Sequence, residues 1–344
     1  MSTSSPIGVL LVNLGTPKSS KPSDVYKYLI EFLTDGRVID YPWLPRNLLV
    51  RGIIVPFRYK KSAKTYQAIW DPVKGSPLMY HSVALHEKVK KMMPDGYVTE
   101  LAMRYQEPSI QQGLEALRAK NVSKIIVFPL YPQYASSSTG TVHEKVLEIV
   151  SQWNNIPDVE LINSYYDHEG YIKAVAEKVS KYKFSDFDHI LFSYHGIPVR
   201  HIRKGDDTGS YCYINGNTTC CDTLTAKNQF CYRAQCMATT RALVKELGLT
   251  DGTYSNCFQS RLGKEEWTQP YASEVVKNLA KAGKKKVLVI SPAFTADCLE
   301  TIFEVSVEYQ EEFEHVGGEK LQLVESLNDS DSWAQAVIDI ILKK

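Results

Sequence analysis

Residues 7–13 read IGVLLVN and residues 189–194 read HILFSY, two short runs in which apolar side chains predominate without alternating with polar ones. Strands that are buried on both faces carry such runs, and they are typical of parallel sheets covered by helices. Six further runs of this type lie at Val98–Arg104, Ile125–Leu130, Val159–Asn163, Tyr254–Gln259, Lys286–Ser291 and Leu321–Val324. Amphipathic stretches such as Ile110–Lys120 separate most of them. The alternation of strands and helices predicts an α/β protein.

The predicted strands fall into two sets of four with a similar order of spacings. In each set, a long excursion follows the first strand, and the remaining strands are separated by about one crossover helix each. We therefore predict two doubly wound, Rossmann-like domains, residues 1–165 and 166–344, each with a central four-stranded parallel sheet. Open sheets bind ligands beyond the carboxyl ends of their strands, so we expect a ligand cleft between the two domains.

Composition and charge exclude some classes of function. The 344 residues are 44% apolar and carry 40 Lys and Arg against 39 Asp and Glu, a net charge of +1. This balance gives no field that would recruit nucleic acid. The N-terminal apolar run is short and lacks a basic flank, which argues against a signal peptide or a membrane span. We expect a cytoplasmic protein.

One histidine stands out by its position. His195 follows the apolar run at 189–194 directly and precedes Gly196 and Pro198, two residues that constrain the backbone. Imidazole exchanges protons near neutral pH, so a histidine at the mouth of a buried strand suits proton transfer. The alternative is a structural, hydrogen-bonded histidine. No GxGxxG or GxxxxGK[ST] motif occurs, so the sequence offers no dinucleotide or phosphate loop.

Three glutamates are spaced to share one helix face. Glu300, Glu304 and Glu308 repeat every four residues after the run at 286–291. A solvated acidic face is one interpretation. However, like charges at this spacing repel each other, and the residues between them are largely apolar. A buried row of carboxylates would form a relay for protons or divalent cations.

Five of the seven cysteines cluster within residues 206–236, in the spacing C-x7-C-C-x9-C-x4-C. They are Cys212, Cys220, Cys221, Cys231 and Cys236. In a reducing compartment such a cluster favours a zinc ion or an iron–sulfur cluster over disulfides, with buried free thiols as the alternative. The spacing fits neither a standard zinc finger nor the plant ferredoxin pattern.

The segment at about 28–60 is unusually apolar for an excursion between strands. Such a lip could cover a flat hydrophobic ligand or contact a membrane surface.

Nine motifs, in order along almost the whole chain, together resemble the ferrochelatases. They are NLGTP at 13–17, YLIEFLTDGRVID at 28–40, GSPL at 75–78, MRYQEP at 103–108, PLYPQYASSSTG at 129–140, FSYHGIP at 192–198, QSRL at 259–262 with Trp267, SPAFTADCLET at 291–301 and ESLND at 325–329.

The resemblance implies an enzyme that inserts Fe²⁺ into protoporphyrin IX and releases haem. By similarity, His195 and Glu300 form the metalation site, and Glu304 and Glu308 continue a path for the metal. The resemblance also implies a set of substrate-binding residues: Asn13, Thr16, Arg58, Tyr105, Tyr134 and Trp267. The NLGTP loop is similar to that of the relatives that use protoporphyrin. A chelatase for coproporphyrin or sirohydrochlorin and a non-catalytic carrier of haem or iron–sulfur clusters are the alternatives.

Some ferrochelatases bind a [2Fe–2S] cluster, and the cysteine-rich insertion at 206–236 resembles a bacterial version of that site. The resemblance implies Cys212, Cys231 and Cys236 as ligands, together with either Cys220 or Cys221. It also implies, with the apolar lip, peripheral contact at the inner face of a membrane, where a poorly soluble porphyrin would arrive.

Overall fold

The strands form where the apolar runs predicted them. The computed structural model describes residues 5–212, 219–263 and 265–343. Its strands are β1 Ile7–Asn13, β2 Tyr97–Met103, β3 Lys124–Pro129, β4 Asp158–Leu161, β5 His189–His195, β6 Tyr254–Gln259, β7 Lys286–Ile290 and β8 Lys320–Leu323. They confirm the predicted α/β class.

The strands make two sheets with the same internal order. One sheet runs β2-β1-β3-β4 and the other β6-β5-β7-β8, and every pair in both is parallel. The second strand in each order, β1 or β5, is the first of its sheet in sequence and has strands on both sides. Val9–Val12 in β1 are fully buried, as a strand covered by helices on both faces requires. This topology confirms the two predicted Rossmann-like sheets.

Helices connect and cover the strands. They are α1 Pro22–Leu33, α2 Trp43–Leu49, α3 Val55–Ile69, α4 Pro77–Met92, α5 Ile110–Ala119, α6 Thr141–Val150, α7 Glu169–Val179, α8 Val199–Lys204, α9 Tyr232–Leu247, α10 Ala272–Lys281, α11 Gln310–His315 and α12 Asp331–Leu342. The described residues also contain three π-helical stretches, Val50–Ile54, Ser136–Gly140 and Glu300–Tyr309, and a 3₁₀ turn, Phe184–Asp186.

The stretch Glu300–Tyr309 differs from expectation. The sequence pattern predicts an α-helix over Thr301–Phe313, whereas the first ten residues from Glu300 form a π-helix that passes into α11 at Gln310. Periodicity of side chains does not distinguish the two helix types, because both keep residues four apart on neighbouring positions. Runs of π-helix are rare in proteins, and those that occur often lie at functional sites.

The chain packs into two compact units. The first contains the chain up to Tyr131, Ser136–Ser164 and the C-terminal stretch from Ala334; the second contains Pro132–Ala135 and Tyr165–Trp333. In the first unit, Leu10, Val12 and Val127 pack against α5 and α6. In the second, Val287 and Val289 pack against α10 and Phe313. Each unit therefore has its own sheet and core. Among the described residues, no helix combines the length and the hydropathy needed to cross a bilayer.

Candidate active site

The imidazole of His195 is held in one tautomer. His195 ends β5, and its Nδ1 lies 2.5 Å from the carbonyl oxygen of Gly196. Because a carbonyl only accepts hydrogen bonds, Nδ1 carries the proton and Nε2 of the neutral ring keeps its lone pair. Within the described residues, Nε2 has no hydrogen-bond partner. The rings of Trp267 and Phe294 flank the imidazole at centroid distances of 6.4 and 6.2 Å. The site thus offers a base with apolar walls.

The main chain around His195 is fixed from both sides. The amide of Gly196 donates to the carbonyl of Gln259 over 2.8 Å. A Cβ at position 196 would lie 2.8 Å from that oxygen and 3.3 Å from the Trp267 ring, so only glycine fits. On the other side, the hydroxyl of Tyr232 donates to the carbonyl of His195 over 2.8 Å. These contacts orient the ring through its backbone.

Gln259 connects the strand of His195 to the acidic row. It lies opposite His195 in the parallel register and is 1% exposed. Its Oε1 accepts from the Ser193 hydroxyl over 2.7 Å, and its Nε2 donates to the carbonyl of Glu300 over 2.8 Å. The sequence placed Gln259 at a strand end but gave it no role, since the register between β5 and β6 is not visible in the sequence.

The carboxylate of Glu304 is surrounded by donors. It accepts from the Ser260 amide at 2.7 Å, the Ser260 hydroxyl at 2.5 Å, the Tyr309 hydroxyl at 2.6 Å and Gln259 Nε2 at 3.2 Å. Ser260 adopts a left-handed φ of 67°, which lets its amide and hydroxyl face the same carboxylate. A carboxylate has about four acceptor positions, so these bonds occupy Glu304 fully.

The other two glutamates differ in exposure. Glu300 is half-buried beside Cys298, and burial, followed by the Glu300 carboxylate, raises the pKa of the Cys298 thiol well above its usual value. Glu308 is exposed. The acidic row therefore runs from a half-buried position at Glu300 to the surface at Glu308. The loop before it is held by Asp297 and Asn328, which exchange two hydrogen bonds of 2.8 and 2.9 Å.

Two of the predicted substrate residues in the first unit are engaged within the fold. Asn13 ends β1; its Nδ2 donates to the Ser82 hydroxyl over 2.9 Å, and its Oδ1 accepts from the Leu14 amide. The Thr16 hydroxyl donates to Ser76 over 2.8 Å. Asn13 and Thr16 are each 5% exposed. Their polar groups shape the loop after β1.

Tyr105 is also committed to an internal network. It is fully buried, and its hydroxyl donates to Asp35 Oδ2 over 2.9 Å. The same carboxylate accepts from Arg104 Nη2 at 2.6 Å and from the Thr141 hydroxyl at 2.5 Å. Asp35 lies just after α1, so this network joins the lip segment to the end of β2 and the start of α6. No pattern in the sequence singles out Asp35.

The remaining predicted substrate-binding residues, Arg58, Tyr134 and Trp267, differ from each other in exposure and in the side chains around them. Arg58 is exposed on α3 and has no ion pair with any residue that the structure describes. Tyr134 is half-buried, with its ring 5.6 Å from that of Phe230. Trp267 lies beside His195 and pairs with Pro198 in an isolated bridge. Thus Trp267 lies at the same sheet edge as His195, Glu300 and Glu304.

Three of the five clustered thiols lie side by side. The sulfur atoms of Cys220 and Cys221 are 3.8 Å apart, and Cys231 packs in the same cluster. The hydrogen bond from the Cys231 thiol, followed by the charge of Arg233, lowers the pKa of Cys221. Cys212 lies near enough to influence Cys231 electrostatically. All these cysteines are free of disulfides.

Cys236 has different surroundings. It is fully buried on α9, and burial raises the pKa of its thiol well above the usual value. Its neighbours include Tyr232 and Tyr194. Within residues 5–212, 219–263 and 265–343, no three His, Cys, Asp or Glu side chains are arranged to hold a single metal ion. The donor chemistry of the thiol cluster still suits a thiolate-ligated group, because Arg233 and the Arg241 guanidinium, which donates to the Cys221 carbonyl over 2.9 Å, offset negative charge there.

Comparison with known proteins gives a consistent family. The model of the ferrochelatase family matches residues 6–344. The ferrochelatase of Legionella pneumophila strain Corby is 44% identical over 97% of this chain and 98% of its own length. That of Pseudomonas fluorescens strain Pf0-1 is 43% identical over 96% and 95%, and that of Coxiella burnetii strain Dugway 40% identical over 98% and 93%.

Among solved structures, the fold is similar to SirB from Bacillus subtilis with Fe³⁺. The TM-score is 0.54 with 14% identity, covering 98% of this chain and 95% of that one. The sirohydrochlorin chelatase SirB of subspecies spizizenii in complex with cobalt gives 0.53 with 13% identity, covering 98% and 94%. At these identities the likeness concerns the fold alone.

Proposed function

Since this chain belongs to the ferrochelatase family, we propose that it inserts Fe²⁺ into protoporphyrin IX and releases haem. The observation that carries the proposal is the His195 imidazole, whose Nδ1 is bonded to Gly196 and whose ring lies 6.4 and 6.2 Å from the rings of Trp267 and Phe294. A free-base porphyrin is flat and holds two N–H hydrogens in its centre. Metal entry requires that the ring bends and that both protons leave, so the site needs apolar walls and a base.

In this mechanism His195 accepts a pyrrole proton at Nε2 while Nδ1 stays bonded to Gly196. The Trp267 and Phe294 rings contact the macrocycle and favour its bent form. Glu300, half-buried at the start of the π-helix, takes up protons or meets the incoming Fe²⁺. Glu308 exchanges them with solvent. Glu304, with its acceptor positions occupied, acts as a fixed negative charge that favours a cation along this path.

The experiment compares His195→Ala with the unchanged chain. We expect the variant to bind protoporphyrin IX, measured by quenching of porphyrin fluorescence, and to lose about 10²- to 10⁴-fold in the rate of Fe²⁺ insertion. His315→Ala, on an exposed position of α11, is the control and should retain the wild-type rate. Wild-type turnover in His195→Ala would reject His195 as the base.

The substrate itself is tested by competition. The exposed Arg58 guanidinium suits the few carboxylates of protoporphyrin, and the apolar lip suits its hydrophobic rim. We expect protoporphyrin to be metalated faster than coproporphyrin or sirohydrochlorin at equal concentration. Preference for coproporphyrin or sirohydrochlorin would replace the substrate but keep the reaction, whereas haem binding without any metalation would indicate a carrier.

The thiol cluster is proposed to hold a [2Fe–2S] cluster. Cys212, Cys221 and Cys231 would supply three ligands and Cys220 the fourth, because the Cys220 sulfur lies 3.8 Å from that of Cys221, whereas the fully buried Cys236 thiol is hydrogen-bonded to Tyr232. Such a group would supply a redox-sensitive centre. Arg233 and Arg241 would balance its charge.

An absorption spectrum of aerobically purified protein tests this proposal. A cluster gives broad bands between about 330 and 550 nm that bleach with dithionite. We expect Cys→Ser substitutions at 212, 220, 221 and 231 to remove the bands and Cys236→Ser to keep them. A colourless protein that contains zinc would reject the iron–sulfur assignment, and loss of the bands in Cys236→Ser would exchange the fourth ligand.

The lip is proposed to contact a membrane surface. Phe57, Trp43 and Leu48 are 82%, 69% and 65% exposed. Several large apolar side chains exposed in one segment are typical of an interaction surface. Arg51 and Arg58 lie on the same helical stretch, so apolar and basic groups are combined as in interfacial helices.

Vesicle sedimentation tests the membrane contact. We expect binding to vesicles with about 30% phosphatidylglycerol to exceed binding to pure phosphatidylcholine. Phe57→Ser should weaken binding about tenfold. Val73→Ser is the matched control, since Val73 is 91% exposed in the same unit but lies outside the lip. Equal binding of all three proteins would reject the lip as the contact surface.

A further inference from the structure

The first turn of α9 touches the backbone of His195. The helix begins at Tyr232, directly after Cys231 of the thiol cluster. The Tyr232 side chain is 7% exposed, and its hydroxyl donates to the carbonyl of His195 over 2.8 Å. The thiol and the contact with the proposed catalytic base therefore belong to adjacent residues, Cys231 and Tyr232.

The same turn also holds a second predicted site residue. Gln235 Oε1 accepts from the Tyr134 amide over 2.7 Å, and Gln235 Nε2 donates to the Gln229 carbonyl over 2.6 Å. Gln235 is 1% exposed. The ring of Phe230, the residue before Cys231, lies 5.6 Å from the ring of Tyr134. Tyr134 thus contacts residues on both sides of Cys231 in the sequence, Phe230 before it and Gln235 after it.

These contacts form a short rigid path. Cys231 directly precedes the first turn of α9, and part-buried hydrogen bonds from that turn reach the carbonyl of His195 and the amide of Tyr134. A displacement of about 1 Å at a catalytic group can change a rate about 10²-fold. Constraint of the Cys231 thiol by its neighbours or by a bound group would therefore reach both residues without any contact between that group and the substrate.

We propose that the first turn of α9 couples the thiol cluster to the active site, with Tyr232 and Gln235 as positioning residues for His195 and Tyr134. The effect on catalysis rests on the proposed function. The coupling itself rests only on the contacts within this unit, so it can be measured without turnover.

A double-mutant cycle measures the coupling on the His195 side. We expect Cys231→Ala to lower kcat about tenfold in the otherwise unchanged chain and less than about twofold in the Tyr232→Phe background. Tyr194→Phe supplies the matched background: its buried hydroxyl bonds to Thr240 over 2.8 Å, not to the His195 carbonyl. There the full effect of Cys231→Ala should persist.

Hydrogen exchange of the full chain gives a second readout that needs no activity. Cys231→Ala should speed amide exchange at residues 192–197 and 132–136 about tenfold. Adding Tyr232→Phe should abolish the response at 192–197 only, and adding Gln235→Leu the response at 132–136 only. The two arms are independent, so one variant that fails to fold leaves the other decisive.

Additive effects of Cys231→Ala and Tyr232→Phe on kcat would overturn the coupling. Amide exchange rates at residues 192–197 and 132–136 that do not change in Cys231→Ala would also overturn it. These outcomes differ from failure of the proposed function. A chain without chelatase activity, or without iron–sulfur absorption, would still report the coupling through exchange, because the thiol itself is the group that is changed.

Discussion

The imidazole of His195 donates from Nδ1 to the carbonyl of its own neighbour, Gly196. A base needs a lone pair directed at the proton it takes, and because Nδ1 is the donor here, Nε2 is the nitrogen that carries the lone pair of the neutral ring. The rest of the site is built in a similar way: Glu304 is held by Ser260 and Tyr309, and the His195 carbonyl by Tyr232. Single residues are thus oriented by short, local hydrogen bonds.

Removing a donor from Glu304 should cost stability. Tyr309→Phe deletes the 2.6 Å bond to Glu304. Because a bond to a charged group is lost at a partly buried site, the free energy of unfolding should fall by about 1.5–3 kcal/mol, measured by urea denaturation. Tyr254→Phe is the control, since it loses only a 3.3 Å surface contact with Asp251. Equal losses in both variants would show that Glu304 does not depend on Tyr309.

A buried histidine should make stability fall in acid. Burial lowers the pKa of His143 from 6.5 to about 4, and its Nε2 has no partner among the described residues. Between these two values the unfolded chain binds a proton that the folded chain does not. Stability is therefore complete above pH 6.5 and is lost as the pH falls towards 4, by about 3 kcal/mol from this group.

His143→Leu isolates that contribution. The variant should show a smaller loss of unfolding free energy between pH 7 and 4.5 than the unchanged chain. His315→Gln, at an exposed position, should keep the wild-type slope. If the slope in His143→Leu is also unchanged, other groups account for the acid sensitivity.

Whole elements are positioned by few buried polar groups. Asp35 follows α1 and joins it to Arg104 and Tyr105 after β2 and to Thr141 at the start of α6. Its side chain is 5% exposed. The π-helix Glu300–Tyr309 depends in the same way on Gln259, the last residue of β6, and on Ser260 directly after it. Strand ends therefore set where these helical segments begin.

Asp35→Ala should strongly destabilise the first unit. It leaves the guanidinium of Arg104, 14% exposed, without its carboxylate, and loss of one partner of a buried ion pair costs about 3–5 kcal/mol. Glu148→Ala breaks only the exposed pair with Lys145 and should cost less than about 1 kcal/mol. Chemical denaturation followed by tryptophan fluorescence measures both. Similar values would mean that Asp35 is not the main link.

At the scale of the molecule, apolar runs and their order were sufficient to predict both sheets, since strands buried on two faces have few alternatives. The position of His195 at the end of β5 was also predictable, because the residue directly follows the apolar run at 189–194. Contacts between strands could not be predicted in this way, because Gln259 lies opposite His195 only as a result of the parallel register of β5 and β6. Nor did periodicity reveal that the segment from Glu300 is π-helical, or that the polar groups of Asn13 and Tyr105 are occupied internally.

Substrate binding should stabilise the folded chain according to affinity. At a concentration about 100 times its Kd, protoporphyrin IX should raise the free energy of unfolding by about 2.7 kcal/mol. Sirohydrochlorin at the same concentration should give a smaller increase in thermal unfolding temperature. A larger shift with sirohydrochlorin would favour that substrate over protoporphyrin.

In both sheets, the strand that comes first in the sequence lies second in the spatial order of strands. Asn13 at the end of β1 and His195 at the end of β5 therefore occupy equivalent positions. In one unit that position carries a neutral amide turned into its own loop; in the other it carries an ionisable ring with an open nitrogen. The repeated topology thus carries chemically different side chains at the same position in its two copies. Exchanging the two side chains, Asn13→His with His195→Asn, would test whether the position at the strand end or the surrounding loops determine which copy can supply the base.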